Sequence, residues 1–399
     1  MKHSMYCLGT DILDEGAARV LENVQARAGV RGLTVAAKYH AVRDIYPHNP
    51  RRRVATLMPE RYFRTGVPDS GGLRPGLQRD ALEEACTEGA RQAMQISAWV
   101  VMLHEDDLSG EGLDWQVNCF GDQLLGNLCP ASPKTKRDVL DLVREISGYP
   151  VDVLRAEALD YQVLHHGHHH ERVLERYDAL ALWLLGVCFC EYCLEAAGVF
   201  GVDGARLGAQ VREHLEASFE EERPERPLSL DQVSEVSDEF LSYLSFRQAT
   251  VASLVATAVE EAGRRGTAVS FIDSSLIASP DGGALAVERG WQRGVDSRLI
   301  EQSGASLELP AYVGNPGRLA EELAGYARTV GTKGTRTIVR PGPPDTECQE
   351  DLDERVRTIA ALKCAEVNFY CYGLYRLSTL DRIRRCLEVL RAASKGDAP

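Results

Sequence analysis

Residues 150–160 read PVDVLRAEALD, an apolar run that ends near a carboxylate. The apolar run that begins at Val151 predicts a buried strand, and Glu157 stands at its carboxyl end. Further along the chain, residues 188–193 read CFCEYC and place three thiols at metal-ligand spacing. The two stretches together predict a parallel sheet that carries a carboxylate site, with a cysteine cluster on the segment that follows.

Strand and helix patterns alternate along the rest of the chain. Apolar runs predict eight strands, at 4–10, 33–40, 97–105, 151–157, 267–273, 305–310, 336–340 and 366–372. Amphipathic patterns predict helices at 11–28, 78–95, 134–147, a helical hairpin within 178–219, and 237–265. Such alternation favours an α/β fold, a (β/α)8 TIM barrel with long loops and a helical excursion after the fourth strand.

The expected domain organisation is one barrel domain over 1–391, with a helical insertion at 165–265 and a flexible tail at 392–399. The first predicted strand is not followed by the Gly-x-Gly-x-x-Gly pattern, which argues against a doubly wound NAD-binding domain.

Composition excludes several classes of protein. The formal charge of −14 over 399 residues argues against a general nucleic-acid binder, because that affinity rests on clustered Lys and Arg. We see no export signal and no apolar run near the roughly 20 residues of a membrane span. The 11 cysteines are therefore expected to be reduced thiols in a cytoplasmic protein.

Polar residues at the strand ends supply the candidate site, because barrel enzymes carry their chemistry at the carboxyl ends of the strands. The candidate catalytic carboxylates are Glu157, Asp273, Glu308 and Glu105. The candidate substrate contacts are His40, His104, Arg340, Tyr161, Tyr370 and Tyr372. Paired carboxylates suit glycoside chemistry, in which one acid donates a proton and its partner stays ionised. The alternative for each carboxylate is a helix cap or an ion pair with Arg155 or Arg340.

Two clusters could bind metal. The run HHGHHHE at 165–171 could hold a transition metal or line a polar pocket, and the simpler interpretation is a solvated loop. Cys188, Cys190 and Cys193 offer three soft ligands, and tetrahedral zinc needs a fourth, for which Cys119 and Cys129 are the upstream candidates. The alternative is a set of small buried thiols on a helix.

The cysteine pattern after a fourth-strand glutamate, with another Cys in the preceding loop, resembles the zinc-containing beta-galactosidases. KYH at 38–40, LCP at 128–130 and CFC at 188–190 are also similar to uncharacterised bacterial proteins of a glycoside-hydrolase-like barrel family. The resemblance implies a sugar substrate and Glu157 as the fourth-strand acid/base. It implies structural zinc held by Cys129, Cys188, Cys190 and Cys193, with no cofactor for catalysis.

The chain departs from that family's pattern at two places. Ala156 precedes Glu157 where the family carries Asn, and the seventh strand ends IVRP at 338–341 without a nucleophilic carboxylate. We therefore expect a glycosidase-like hydrolase in which Asp273, Glu308 or Glu105 partners Glu157. A barrel isomerase or lyase, metal-dependent or not, and a non-catalytic sugar-binding protein remain the alternatives. The expected partner is a carbohydrate or small molecule, with no nucleic acid or membrane, and a homo-oligomer is left open.

Overall fold

A closed barrel of eight parallel strands forms the centre of the molecule. The computed structural model describes residues 1–57, 59–63, 79–106, 108, 112–165, 172–221, 223–277, 284–332 and 334–396. In chain order the barrel strands are β1 (Lys2–Cys7), β2 (Gly32–Tyr39), β3 (Gln95–Val101), β4 (Val153–Glu157), β5 (Ala268–Ile272), β6 (Ser306–Pro310), β7 (Thr335–Val339) and β8 (Glu366–Phe369). Neighbours in the chain pair in parallel, and Met5 of β1 pairs with both Leu33 of β2 and Phe369 of β8. This pairing closes the sheet and confirms the predicted TIM barrel.

Helices surround the barrel and bury their apolar faces against it. Before β4 they are Gly9–Glu15, Ala17–Asn23, the π turn Val24–Ala28, Ala81–Gln92 and Pro133–Ile146. Between β4 and β5 they are Ala179–Leu185, Glu191–Ala197, Gly204–Glu220, Leu230–Val236 and Phe240–Gly263. After β5 they are Ala286–Arg289, Ser297–Gln302, Pro316–Val330, Gln349–Ala361 and Leu377–Gly396. Short 3-10 turns complete the connections.

The helix Pro133–Ile146 shows how the sequence specifies these elements. Ser132 caps it by accepting a hydrogen bond from the Thr135 N–H, and Pro133 occupies the first turn, where no backbone donor is needed. Val139, Leu142, Val143 and Ile146 recur at helical spacing and are all buried. The helix therefore packs on the barrel with one face.

The structure differs from the sequence-based expectations at three places. The helix expected at 11–28 breaks at Gly16, whose φ of 88° is unfavourable for other residues. The loops after β2 and β3 contain hairpins, Val42–Ile45 with Val54–Leu57 and Trp115–Val117 with Gln123–Leu128. The excursion after β4 has five helices among its described residues where a hairpin and one further helix were expected. No helix in the described residues is long and apolar enough to cross a membrane.

Candidate active site

Glu157 lies at the carboxyl end of β4, at the mouth of the barrel. It pairs with Val101 of β3, and β3 continues alongside through hydrogen bonds from Met102 N–H to Glu157 O and Leu103 N–H to Ala158 O. Ala158 has a φ of 53°, a left-handed conformation that costs a non-glycine residue free energy. Such strain is often concentrated at functional sites, and here it immediately follows the candidate acid.

The environment of Glu157 favours its neutral form. Trp99 of β3 donates its indole N–H to Glu157 Oε2 at 2.5 Å. Burial raises the pKa of Glu157, and the effect exceeds the opposing influence of His40, the Trp99 hydrogen bond, His104 and Arg293. A carboxyl group whose pKa is raised stays protonated up to a higher pH and can donate that proton to a substrate.

A cluster of aromatic rings surrounds Trp99, the hydrogen-bond donor to Glu157. The ring of Trp99 lies 5.2 Å from that of Tyr6, 4.5 Å from Tyr39 and 5.8 Å from Tyr370, centroid to centroid. Tyr312, after β6, extends the group at 6.2 Å from Tyr370. We call Trp99, Tyr39, Tyr370 and Tyr312 the aromatic wall. It includes Tyr370, one of the predicted substrate contacts.

Arg340 follows β7 and stacks its guanidinium 4.0 Å above the Tyr312 ring. It also donates two hydrogen bonds to Asp345, at 2.5 and 3.1 Å. Arg340 is thus fixed beside the aromatic wall by an ion pair, and its cationic face covers one of the rings.

Histidines and acids line the mouth beside Glu157. The ring of His40, after β2, lies 5.6 Å from that of His104. His104 Nε2 is 3.0 Å from Asp106 Oδ1. Glu105, a candidate catalytic carboxylate, forms an ion pair with Lys38 at 3.5 Å. The structure therefore places His40 and His104 side by side, and both oppose the rise in the Glu157 pKa.

A buried ion pair beside Glu157 was not among the predicted residues. Arg293 donates to both carboxylate oxygens of Asp160, at 2.7 and 2.9 Å, and to Gln162 Oε1 at 2.9 Å. Its charge opposes the rise in the Glu157 pKa that burial causes. The pair joins the loop after β4 to the segment before β6.

Glu308 lies below the mouth, inside the barrel, with no exposed surface. Its two oxygens accept hydrogen bonds from four side chains at 2.6–3.1 Å, namely Arg155, Tyr6, Asn368 and Ser270. Arg155 also donates to Glu366 at 2.6 Å. Its acceptors are therefore occupied by protein donors, an arrangement that favours a structural role for Glu308 over a role as the partner of Glu157.

Asp273 follows β5 and is fully buried. One oxygen accepts from the Ser275 N–H at 2.9 Å and caps a 3-10 turn, while the other accepts from the Tyr326 hydroxyl at 2.9 Å. Asp273 therefore has the capping role that was the alternative for each candidate carboxylate. These contacts do not support Asp273 as a second catalytic carboxylate.

Tyr161 and Tyr372 do not lie with the aromatic wall. The Tyr161 hydroxyl is 3.5 Å from Cys193 Sγ, and the Tyr372 hydroxyl donates to Glu15 at 2.9 Å. Both side chains are fully buried and engaged with other protein groups, which does not favour them as substrate contacts. The histidine-rich run falls at 166–171, outside the described residues, apart from His165.

Cys129, Cys188, Cys190 and Cys193 form a buried cluster whose sulfur atoms lie within 4.8 Å of one another. Cys129 Sγ is 3.4 Å from Cys190, 3.5 Å from Cys193 and 3.9 Å from Cys188. These separations exceed the S–S bond of about 2.05 Å and suit a tetrahedron of roughly 2.3 Å metal–sulfur bonds. The group could therefore bind a metal, and it includes Cys129 and not Cys119.

Comparison with known proteins supports the fold. No protein-family model and no curated protein matches the sequence. Among solved structures, the beta-galactosidase of psychrophilic Marinomonas ef1 matches with a TM-score of 0.59 and 11% identity over 100% of this chain and 61% of that one. The beta-amylase catalytic domain of Paenibacillus polymyxa gives 0.55 and 11% over 98% of both chains. The cold-adapted beta-galactosidase of Rahnella sp. R3 gives 0.54 and 11%, over 98% of this chain and 56% of that one.

This chain thus spans little more than half the length of either beta-galactosidase, and at such low identity the likeness shows the fold alone. The chain shares its closed barrel with glycoside hydrolases.

Proposed function

We propose that this protein is a glycosidase-like hydrolase that acts on a carbohydrate or sugar-bearing small molecule, with Glu157 as its proton donor. The observation that carries the proposal is Glu157 itself, a carboxyl group with a raised pKa at the barrel mouth that is hydrogen-bonded to Trp99 of an aromatic cluster. The glycoside hydrolases that share the fold are consistent with this chemistry.

The proton donor role follows from the environment of Glu157. Glycoside cleavage needs an acid that protonates the departing oxygen as the bond to the anomeric carbon breaks. An acid with a raised pKa keeps its proton nearer to neutral pH, as burial does for Glu157. Partial exposure at the barrel mouth leaves the group within reach of a substrate.

The aromatic wall supports a sugar-ring substrate. Tyr370 and Tyr312 are partly exposed and offer apolar faces with polar edges, which are common in ligand sites. Trp99 and Tyr39 are buried and pack beside them. His104 and the Arg340–Asp345 pair supply such polar groups beside the rings.

We further propose that the four-cysteine cluster holds structural zinc. Four protein ligands would leave no open position, so the metal would stabilise the fold and take no part in the reaction. Cys129 follows the hairpin after β3, whereas the other three ligands lie in the excursion after β4. When bound, the ion would fasten these two segments together beside the barrel. The N–H of Val117, in that hairpin, donates to Cys188 Sγ at 3.4 Å and would support thiolate charge.

The proposed activity is tested with purified protein and a panel of 4-nitrophenyl glycosides that covers common hexoses and pentoses in both anomers, beta-galactosides included. We expect turnover of at least one member. If no member is cleaved at high enzyme concentration, while the protein is folded by circular dichroism, the proposal is contradicted.

A further inference from the structure

We propose that His40 is the base that partners Glu157, so that this chain hydrolyses its substrate with inversion at the anomeric carbon. The inference rests on the proposed function and adds the second catalytic residue to it. His40 takes a proton from water as the water oxygen bonds to the anomeric carbon. Glu157 gives its proton to the departing oxygen as the carbon–oxygen bond breaks.

The other candidate carboxylates are already engaged, and Glu105 forms an ion pair with Lys38 at 3.5 Å. Within the described residues, Glu308 accepts hydrogen bonds from four side chains and Asp273 caps a turn. Asp160 accepts both hydrogen bonds of Arg293. The end of β7, where a nucleophile would complete a retaining pair, carries Arg340. These contacts favour a direct attack by water over a covalent intermediate on a carboxylate.

The geometry of His40 fixes which of its nitrogen atoms is the base. His40 Nδ1 lies 2.9 Å from the Ala41 carbonyl oxygen. Because a carbonyl oxygen only accepts hydrogen bonds, Nδ1 carries the hydrogen and a neutral ring keeps its lone pair on Nε2. The ring is partly exposed, so this nitrogen can meet a water molecule at the mouth.

Asp106 and His104 hold His40 in place. Asp106 accepts hydrogen bonds from the Ala41 N–H and from His104 Nε2, so one carboxylate fixes both the loop of His40 and the neighbouring ring. Burial alone would raise the pKa of Asp106, but the hydrogen bonds from His104 and Ala41 lower it and keep the carboxylate ionised. His104 meets the His40 ring edge-on, and Tyr39 packs against it at 4.2 Å. Asp106 is thus a positioning residue.

His40 also lies near Glu157. Its ring packs on Tyr39 at 4.2 Å, and the Tyr39 ring lies 4.5 Å from that of Trp99. Trp99 in turn donates its indole N–H to Glu157, so both groups belong to one site. Inversion requires the acid and the base to act on opposite faces of the sugar ring.

The test begins with stereochemistry. Wild-type protein is given the glycoside that it cleaves best, and proton NMR records the first anomer formed. Inversion is expected. Retention with a detected turnover would overturn the role of His40 and leave the proposed function standing, whereas no turnover by the wild type would contradict both.

Variants then test the residue itself, with the 2,4-dinitrophenyl glycoside of the same sugar. We expect His40→Ala to lower kcat by a factor on the order of 10² or more, because water loses its base. Sodium azide should restore turnover and yield the glycosyl azide of inverted configuration, because azide has no proton to lose. His214→Ala, a histidine change in the excursion, is the matched control and should keep wild-type kcat.

Asp106→Asn should lower kcat with little change in KM, and azide should rescue it as it rescues His40→Ala. A purely structural role would not produce rescue. Wild-type kcat in a folded His40→Ala variant would overturn the inference. If that variant fails to fold, the test rests on the first anomer that the wild type forms, and retention would overturn the role of His40.

Discussion

The indole N–H of Trp99 donates to Glu157 Oε2, and the two residues lie on adjacent strands of the barrel. The hydrogen bond favours the charged carboxylate, so its removal should raise the Glu157 pKa further. In Trp99→Phe we expect the high-pH limb of the kcat profile to move upward by roughly one to two pH units, since a hydrogen bond to a charged group contributes about 1.5–3 kcal/mol.

The matched control for Trp99→Phe is Trp183→Phe, because the Trp183 indole donates to the Gln292 carbonyl oxygen and not to Glu157. Its pH profile should coincide with that of the wild type. A high-pH limb that stays in place or moves downward in Trp99→Phe would contradict the account of how Glu157 is tuned.

Glu308→Gln should lower the free energy of unfolding and should not abolish turnover. The substitution leaves Arg155 with one buried anionic partner, Glu366, in place of two. Breaking a buried ion pair typically costs about 3–5 kcal/mol, and urea unfolding should show a loss of that order. Glu260→Gln, an exposed helical glutamate, is the control. A variant with unchanged stability and no turnover would return Glu308 to the catalytic candidates.

The cysteine cluster makes a prediction about metal content. Wild-type protein should carry about one zinc ion per chain by elemental analysis, and Cys193→Ser should lose the metal together with several degrees of Tm, since binding of the metal contributes to folding. Cys386→Ser replaces a buried thiol outside the cluster and should keep the zinc. A fully stable wild-type protein without metal would rule out a structural zinc.

Asp11 should make stability depend on pH. It is fully buried after β1, and burial, together with Glu15 and Asp14, raises its pKa to about 8. The folded protein therefore holds a proton that the unfolded chain loses near pH 4. The stabilising contribution is complete below about pH 4 and is lost as pH rises to about 8.

Asp11→Asn removes this titration. The free energy of unfolding of the wild type should fall relative to that of the variant between pH 5 and 9, by at least ~2 kcal/mol given about 1.4 kcal/mol per pH unit. Denaturant titrations at both pH values measure the difference, with the exposed Asp138→Asn as control. Equal pH dependence in wild type and Asp11→Asn would contradict the assignment.

The barrel strands could be predicted because each is a short apolar run between turn signals, and their carboxyl ends pointed to Glu157. The depth of a side chain below the mouth of the barrel could not be predicted from the sequence. Glu308 faces the barrel axis as its sequence position suggested, but it stands two residues before the end of β6 and meets Arg155 below the mouth. Alternation along a strand reveals which way a side chain faces, and only the register between strands reveals its level.

Contacts between segments that are distant in the sequence could not be predicted either. Arg293 and Asp160 are 133 residues apart, and neither belongs to a motif that would join them. Trp99 was visible as an aromatic in a strand, but its hydrogen bond to Glu157 depends on the pairing of β3 with β4. The cysteine cluster was easier to predict, since three of its ligands lie within six residues and their spacing suits a metal.

If Glu157 donates the proton to the leaving group, kcat of a Glu157 variant should depend strongly on how much the leaving group needs that proton. We would measure kcat of wild type, Glu157→Gln and the control Glu260→Gln on methyl and 2,4-dinitrophenyl glycosides of the preferred sugar. Glu157→Gln should lose a factor on the order of 10² or more on the methyl glycoside, which needs an acid, and keep most of its rate on the dinitrophenyl glycoside, which does not. Full turnover of the methyl glycoside by Glu157→Gln would contradict the account.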